Sequence, residues 1–70
     1  MRQTGHMSSS SNAVLSVIAE HVDRYRQEVA DLAPEHQQAQ RDDVIAAIYE
    51  AERALRTATR LLRRAAKLAQ

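Results

Sequence analysis

The strongest constraint on this chain is the spacing of its apolar residues on either side of its one proline, Pro34. On both sides, apolar residues recur at alternating intervals of three and four. This spacing keeps side chains on one face of an α-helix, which has 3.6 residues per turn. Proline lacks a backbone N–H and disfavours the helical conformation of the residue before it. The pattern therefore predicts two amphipathic helices that meet near Pro34.

The first helix is predicted over residues 12–32. Asn12 precedes the apolar pattern and is a residue type that caps helix N-termini. The apolar seam that follows has the heptad spacing of helices that pack side by side. Its members are Leu15, Ile18, Val22, Tyr25, Val29 and Leu32.

The second helix is predicted over about 36–69, after a turn at 33–35. The polar stretch 35–41 also allows a second interpretation, in which it forms a loop and the helix begins at about Asp42. Large and small residues alternate along this seam, which lets a neighbouring helix approach closely. The seam consists of Val44, Ile48, Ala51, Leu55, Ala58, Leu62, Ala65 and Ala69.

The first 11 residues contain four consecutive serines and no apolar periodicity, so we expect a disordered tail over 1–11. Residues 1–6 have the pattern of a vector remnant that ends at Gly5-His6, with Met7 as the native start. The alternative is that they are native. The folded domain is then predicted over 12–70.

The predicted fold class is all-α: an antiparallel two-helix hairpin that self-associates into a four-helix bundle. A chain of this length has a small core, and without cysteine it has no disulfide to reinforce it. Pairing two hairpins would cover the apolar edges that one leaves open. We therefore expect a homodimer whose association core comprises Leu15, Ile18, Val22, Tyr25, Val29, Val44, Ile48, Leu55 and Leu62.

Charge is distributed unevenly along the chain. Residues 1–52 carry four arginines and all nine acids, whereas residues 53–70 carry six cations and no acid. The cations form a basic stripe: Arg53, Arg56, Arg60, Arg63, Arg64 and Lys67. They could neutralise the C-terminal dipole of their own helix and pair with acids of the first helix. They could instead bind nucleic-acid phosphates, although no aromatic residue interleaves them, or an acidic protein partner. Membrane binding is disfavoured because tryptophan and phenylalanine anchors are missing.

The sequence offers no catalytic constellation. It has no cysteine, no Gly-rich phosphate loop and no Glu-x-x-His pair, and its three histidines are scattered. His21 flanks the first seam, and His36 lies near the turn. Asp42 and Asp43 are adjacent, so they point to different faces and suit the first turn of a helix. We therefore predict a protein that is not an enzyme, with no cofactor, no metal and no small-molecule substrate.

The predicted function is protein–protein interaction or dimerisation through apolar helix faces. One alternative is a small nucleic-acid-binding regulator that uses the basic stripe. Another is a subunit that folds onto a larger protein partner. No run of about 18 apolar residues could span a bilayer, and we expect a cytoplasmic protein whose arginine and alanine bias suggests a bacterial source. In architecture alone, such a hairpin is similar to dimeric four-helix RNA-binding regulators and to docking domains of bacterial megasynthases.

Overall fold

The computed structural model describes residues 2–70, with side chains from Ser10 onward. The chain forms an all-helical hairpin, and the described part contains no strand. The helices are α1 (Arg2–Ala30), α2 (Ala33–Gln38) and α3 (Asp42–Leu68). Helices α1 and α3 pack against each other, and α2 lies in the connection between them. The molecule is a rod of 58 × 14 × 12 Å.

Helix α1 ends at Ala30, two residues before the predicted end at Leu32. Pro34 explains the position, because it would supply the N–H that bonds the Ala30 carbonyl in a continuous helix. The last turn is completed by bonds from the Asp31 N–H to the Gln27 carbonyl (3.0 Å) and from the Leu32 N–H to the Val29 carbonyl (3.1 Å).

The beginning of α1 differs from the expectation. The backbone is helical from Arg2, where a disordered tail was expected over 1–11, and Met1 lies outside the described residues. No proline separates Arg2 from Asn12, and one glycine costs only about 1 kcal/mol in a helix. Nothing in this stretch therefore stops a helix that is already formed further along. Asn12 lies inside α1 and is not its N-cap.

The continuous helix expected over 36–69 is instead divided into α2 and α3, and the long part begins at Asp42, as in the second interpretation. Helix α2 ends in a Schellman motif with Gln40 in the left-handed region at φ 58°. The Arg41 N–H bonds the His36 carbonyl (3.0 Å), and the Gln40 N–H bonds the Gln37 carbonyl (3.1 Å). This reversal separates the two helices.

The core between α1 and α3 is built from small side chains. Among the described side chains, those classed as buried are Ala19, Ala33, Thr59 and Ala66, and no large side chain is fully buried. A two-helix hairpin has only one internal contact surface, so its larger apolar residues remain partly open to solvent.

No helix in the described part of the chain combines the length and the apolar character that crossing a membrane would require.

Candidate interaction surfaces

Two side-chain hydrogen bonds fix the register of α1 against α3. The Asn12 amide donates to the Ala66 carbonyl, and Arg26 donates to Glu52. The two bonds are fourteen residues apart on each helix, so the helices are antiparallel and each step forward along α1 matches one step back along α3. Halfway between these bonds, the same register places Ala19 opposite Thr59.

Arg26 is the centre of an ionic cluster beside this contact. Its Nε lies 2.8 Å from Asp23 Oδ1 on α1, and its Nη1 lies 2.9 Å from Glu52 Oε2 on α3. Arg56 also reaches Glu52 Oε2, at 2.6 Å. The bond from Arg26 lowers the pKa of Asp23, and bonds from Arg26 and then Arg56 lower the pKa of Glu52. Both acids are therefore held ionised, and Arg26 ties the two helices together.

The residues of the predicted association core occupy two different surfaces. Most are half-buried between α1 and α3: Leu15, Val22, Val29, Val44, Ile48, Leu55 and Leu62. Ile18 and Tyr25 are exposed instead, at 40% and 52%. The guanidinium of Arg24 lies 5.7 Å from the centre of the Tyr25 ring. The seam predicted on α1 thus alternates between the interhelical contact and a second stripe beside it.

That second stripe is continued on α3. On both helices its positions come one residue before the contact positions, as Ile18 precedes Ala19 and Ala58 precedes Thr59. Seen from one end of the hairpin, residue numbers increase clockwise around the helix that runs away from the viewer and anticlockwise around the helix that runs towards the viewer. In an antiparallel pair, the same offset therefore turns both stripes towards the same side of the hairpin.

We call this side the apolar face. On the outer flank of α1 it borders a shallow groove lined by Ala13, Val14, Val17, Ile18 and His21. Its larger side chains are strongly exposed, with Leu61 at 49% and Leu68 at 77%. The face comprises Val14, Ile18, His21, Tyr25, Ala47, Ala51, Ala54, Ala58, Leu61, Ala65 and Leu68.

The basic stripe lies on the opposite side of the hairpin, at positions one residue after the contact positions. It runs beside Glu20 and Asp23 of α1, and the Asp23 carboxylate feels the charges of Arg63 and Arg56. Exposed Tyr49 stands at one end of the stripe. Arg64 alone lies on the outer flank of α3. The apolar face and most of the basic stripe therefore leave the hairpin in opposite directions.

Intramolecular pairing accounts for little of the basic stripe. Within residues 10–70, Arg56 is the stripe member that forms an ion pair, and its partner Glu52 lies on its own helix. Asp23 bonds Arg26. The interpretation in which first-helix acids pair with the stripe therefore leaves Arg53, Arg60, Arg63, Arg64 and Lys67 without such a partner in this part of the chain.

The charges divide the rod into two ends. We call residues 20–58, which include the connection, the turn end, and residues 10–19 with 59–70 the open end. The turn end carries all nine acids and five arginines, a net charge of −4. The open end carries no acid and four cations, a net charge of +4, from Arg60, Arg63, Arg64 and Lys67. The register places these cations beside α1 residues that have no charge.

Neither a protein-family model nor a curated protein nor a solved structure matches this chain. Function must therefore be inferred from the two surfaces.

The described residues contain no group of three or more histidine, cysteine, aspartate or glutamate side chains that could hold a metal ion. His21 is exposed on the apolar face, and half-buried His36 lies on α2.

The sequence reasoning missed the residues at which α1 and α3 meet most closely. Ala19 and Thr59 lie outside both predicted seams, as do Arg26 and Glu52. The sequence did contain a regular signal for them, because the residues at the closest contact recur every seven positions and alternate along the chain with the large apolar residues. The contact residues are Asn12, Ala19 and Arg26 on α1, Ala33 at the start of α2, and Glu52, Thr59 and Ala66 on α3.

Proposed function

We propose that the protein is a non-enzymatic dimerisation module whose apolar face packs against that of a second copy to form a four-helix bundle. The observation that carries this proposal is the distribution of side-chain size. The fully buried residues within the hairpin are small, whereas Val14, Ile18, Leu61 and Leu68 remain exposed on one side. A surface of this kind on a small soluble chain is typical of an interaction site.

The amount of exposed surface also supports association. The chain exposes 5505 Å², against about 4,400 Å² expected for a compact protein of 7.9 kDa. The difference of about 1,100 Å² reflects the rod shape and exceeds the ~800 Å² that each partner buries in a standard interface. Burying the apolar face against a partner would bring the exposed area of the chain closer to that of a compact protein of the same mass.

The energetic contribution of a single position on this face is large. Burying a valine fully is worth about 1.5–3 kcal/mol, and a two-fold symmetric dimer buries it twice. Losing Val14 would therefore cost about 3–6 kcal/mol per dimer, which corresponds to two to four orders of magnitude in Kd. A charged replacement adds a desolvation penalty.

Sedimentation equilibrium combined with circular dichroism tests this proposal with a matched pair of variants. Val14→Glu places a charge on the apolar face, and Ser16→Glu places one on the opposite side of the same helix, at an exposed position. Glutamate forms helices better than valine, so a loss of helicity in Val14→Glu would report lost association. We expect a dimer for the parent chain and for Ser16→Glu, and a monomer for Val14→Glu.

Two results would contradict dimerisation through this face. One is a parent chain that stays monomeric at all concentrations, and the other is an equal effect of the two glutamates. A parent chain that is monomeric and weakly helical would favour the alternative in which the chain folds onto a larger protein.

A second candidate function is nucleic-acid binding through the basic stripe. It is favoured by the four open-end cations, which form no ion pair within residues 10–70. Its signature is an affinity for duplex DNA that falls with salt, with a log–log slope of about −0.9 for each phosphate contacted. Replacing Arg60 and Arg63 by glutamine should reduce that slope by about two such contacts. An unchanged slope would reject this use of the stripe.

A further inference from the structure

The opposite charges of the two ends bear on how two copies would face each other. This inference rests on the proposed dimerisation. We propose that the two hairpins run in opposite directions, so that the turn end of one covers the open end of the other. The two-fold axis then passes close to Thr57 and Ala58, and each helix packs against its own counterpart from the partner.

Charge complementarity supports this direction. In the opposite arrangement, with like ends together, two ends of net charge +4 would meet, as would two ends of −4. Head-to-tail pairing places each open end beside an end of opposite charge. Most of the open-end cations lie on the side of the hairpin away from the apolar face, so this attraction acts between whole ends and orients the partners more than it adds to affinity.

Side-chain size on α3 supports the same direction independently. The first half of its exposed stripe carries only alanines, and the second half carries the exposed leucines Leu61 and Leu68. Head-to-tail pairing about Thr57 and Ala58 lays Leu61 against Ala54 of the second copy, and Leu68 against Ala47. Each exposed leucine thus meets an alanine across the two α3 helices, which is the arrangement that lets helices interdigitate.

The outer flank of α3 carries one matching charge pair. Glu50 and Arg64 are exposed on the same flank of α3 and have no ion-pair partner in the described part of the chain. Their midpoint is Thr57, so head-to-tail pairing places Glu50 of one copy level with Arg64 of the other along the outer flank, twice in the dimer. With like ends together, α3 lies against α1 and these two residues do not meet.

Distances between spin labels measure the direction. The chain has no cysteine, so single cysteines introduced as Ala46→Cys and Thr57→Cys label two exposed positions on the same flank of α3. At 1.5 Å per residue, head-to-tail pairing separates the two labels at position 46 by about 35 Å along the axis. The two labels at position 57 lie almost level and are separated only sideways.

We therefore expect dipolar EPR to give a much longer distance for position 46 than for position 57. Equal distances at the two positions would overturn the head-to-tail inference and leave dimerisation intact. A sample that is monomeric by sedimentation would contradict both proposals.

Reciprocal charge reversal provides a second test. Arg64→Glu and Glu50→Arg should each weaken the dimer by roughly three- to thirty-fold, because each change turns two attractive pairs into repulsive ones. The double variant should recover most of the parent affinity. Failure of the double variant to recover would contradict the predicted pairing.

The salt dependence of the dimer Kd is an independent test. From about 0.05 M to about 0.5 M NaCl, a head-to-tail dimer weakens and a like-end dimer strengthens.

Discussion

Replacing Ala19 by leucine tests whether α1 and α3 meet as closely as the burial of Ala19 and Thr59 indicates. These two residues are 0% and 3% exposed and lie opposite each other. The distance between packed helices, about 8–10 Å, depends on the side chains at the contact. A leucine adds three carbon atoms at a position that has no exposed surface into which they could extend.

The expected cost is large relative to the stability of such a small domain. Three methylene groups in free space would gain about 2.4 kcal/mol on burial, but overpacking a closed site costs about 1–3 kcal/mol net. Helices α1 and α3 cannot simply separate there, because bonds at Asn12 and Arg26 hold them one heptad away on either side. A core of this size supplies only about 3–5 kcal/mol, so we expect Tm to fall by about 5–20 °C.

Thermal unfolding followed by circular dichroism at a fixed protein concentration measures this effect. Ala46→Leu is the matched control, because Ala46 is exposed on the outer flank of α3 and leucine is nearly as good a helix former as alanine. It should change stability by less than about 0.5 kcal/mol. Adding Thr59→Ala to Ala19→Leu should restore at least about 0.5 kcal/mol by making room across the contact. If Ala19→Leu matches the parent chain in stability, the close approach of the two helices is refuted.

Three other features give separate tests. Asn12→Asp should destabilise the chain by about 1 kcal/mol and increase amide exchange at the end of α3, because a carboxylate cannot donate to the Ala66 carbonyl; equal stability would indicate an ordinary N-cap, which accepts aspartate. Gln40→Gly should raise stability by about 0.5 kcal/mol in denaturant titrations, because relief of about 1–2 kcal/mol in the left-handed region exceeds the extra chain entropy of glycine; a loss would contradict the positive φ. The lowered pKa values of Asp23 and Glu52 mean that the folded chain binds fewer protons than the unfolded chain. The stability that these two acids contribute should therefore be fully present above their ordinary pKa values of 3.8 and 4.5 and should be lost as the pH falls below them. Glu52→Gln should reduce the loss of helicity that acid causes, as measured by circular dichroism; an acid profile identical to that of the parent chain would argue against the cluster.

The helical hairpin could be predicted because its determinants are local. The three-and-four spacing identifies amphipathic helices, and Pro34 removes the N–H that a continuous helix needs at Ala30. The separation of α2 from α3 at Gln40 has no such local determinant. Its Schellman motif uses a glutamine where glycine is the usual signal, and the surrounding residues are all acceptable in a helix.

The contact between α1 and α3 was harder to predict because the sequence pattern shows apolar residues and not the distance between helices. Leu15, Ile18 and Val22 fit a single heptad seam, yet the structure places Ala19 at the centre of the contact and Ile18 outside it. When a helix carries two adjacent apolar stripes, periodicity alone does not show which of them faces inward. The N-cap role predicted for Asn12 was wrong for a similar reason. The preference of asparagine for N-caps is local, whereas the bond from Asn12 to Ala66 is a long-range contact.

The distribution of size and the distribution of charge have a common explanation in dimerisation. A hairpin that only had to fold by itself would bury its largest apolar side chains fully, but here the fully buried residues between α1 and α3 are Ala19, Thr59 and Ala66, and the leucines at this contact are only half-buried. Such a hairpin would also place acids on α1 beside the open-end cations, but that part of α1 carries serine, valine and alanine. Both choices weaken the isolated hairpin. Head-to-tail association, as proposed, compensates for both, because the exposed leucines gain alanines to pack against and each open end gains a neighbouring end of opposite net charge.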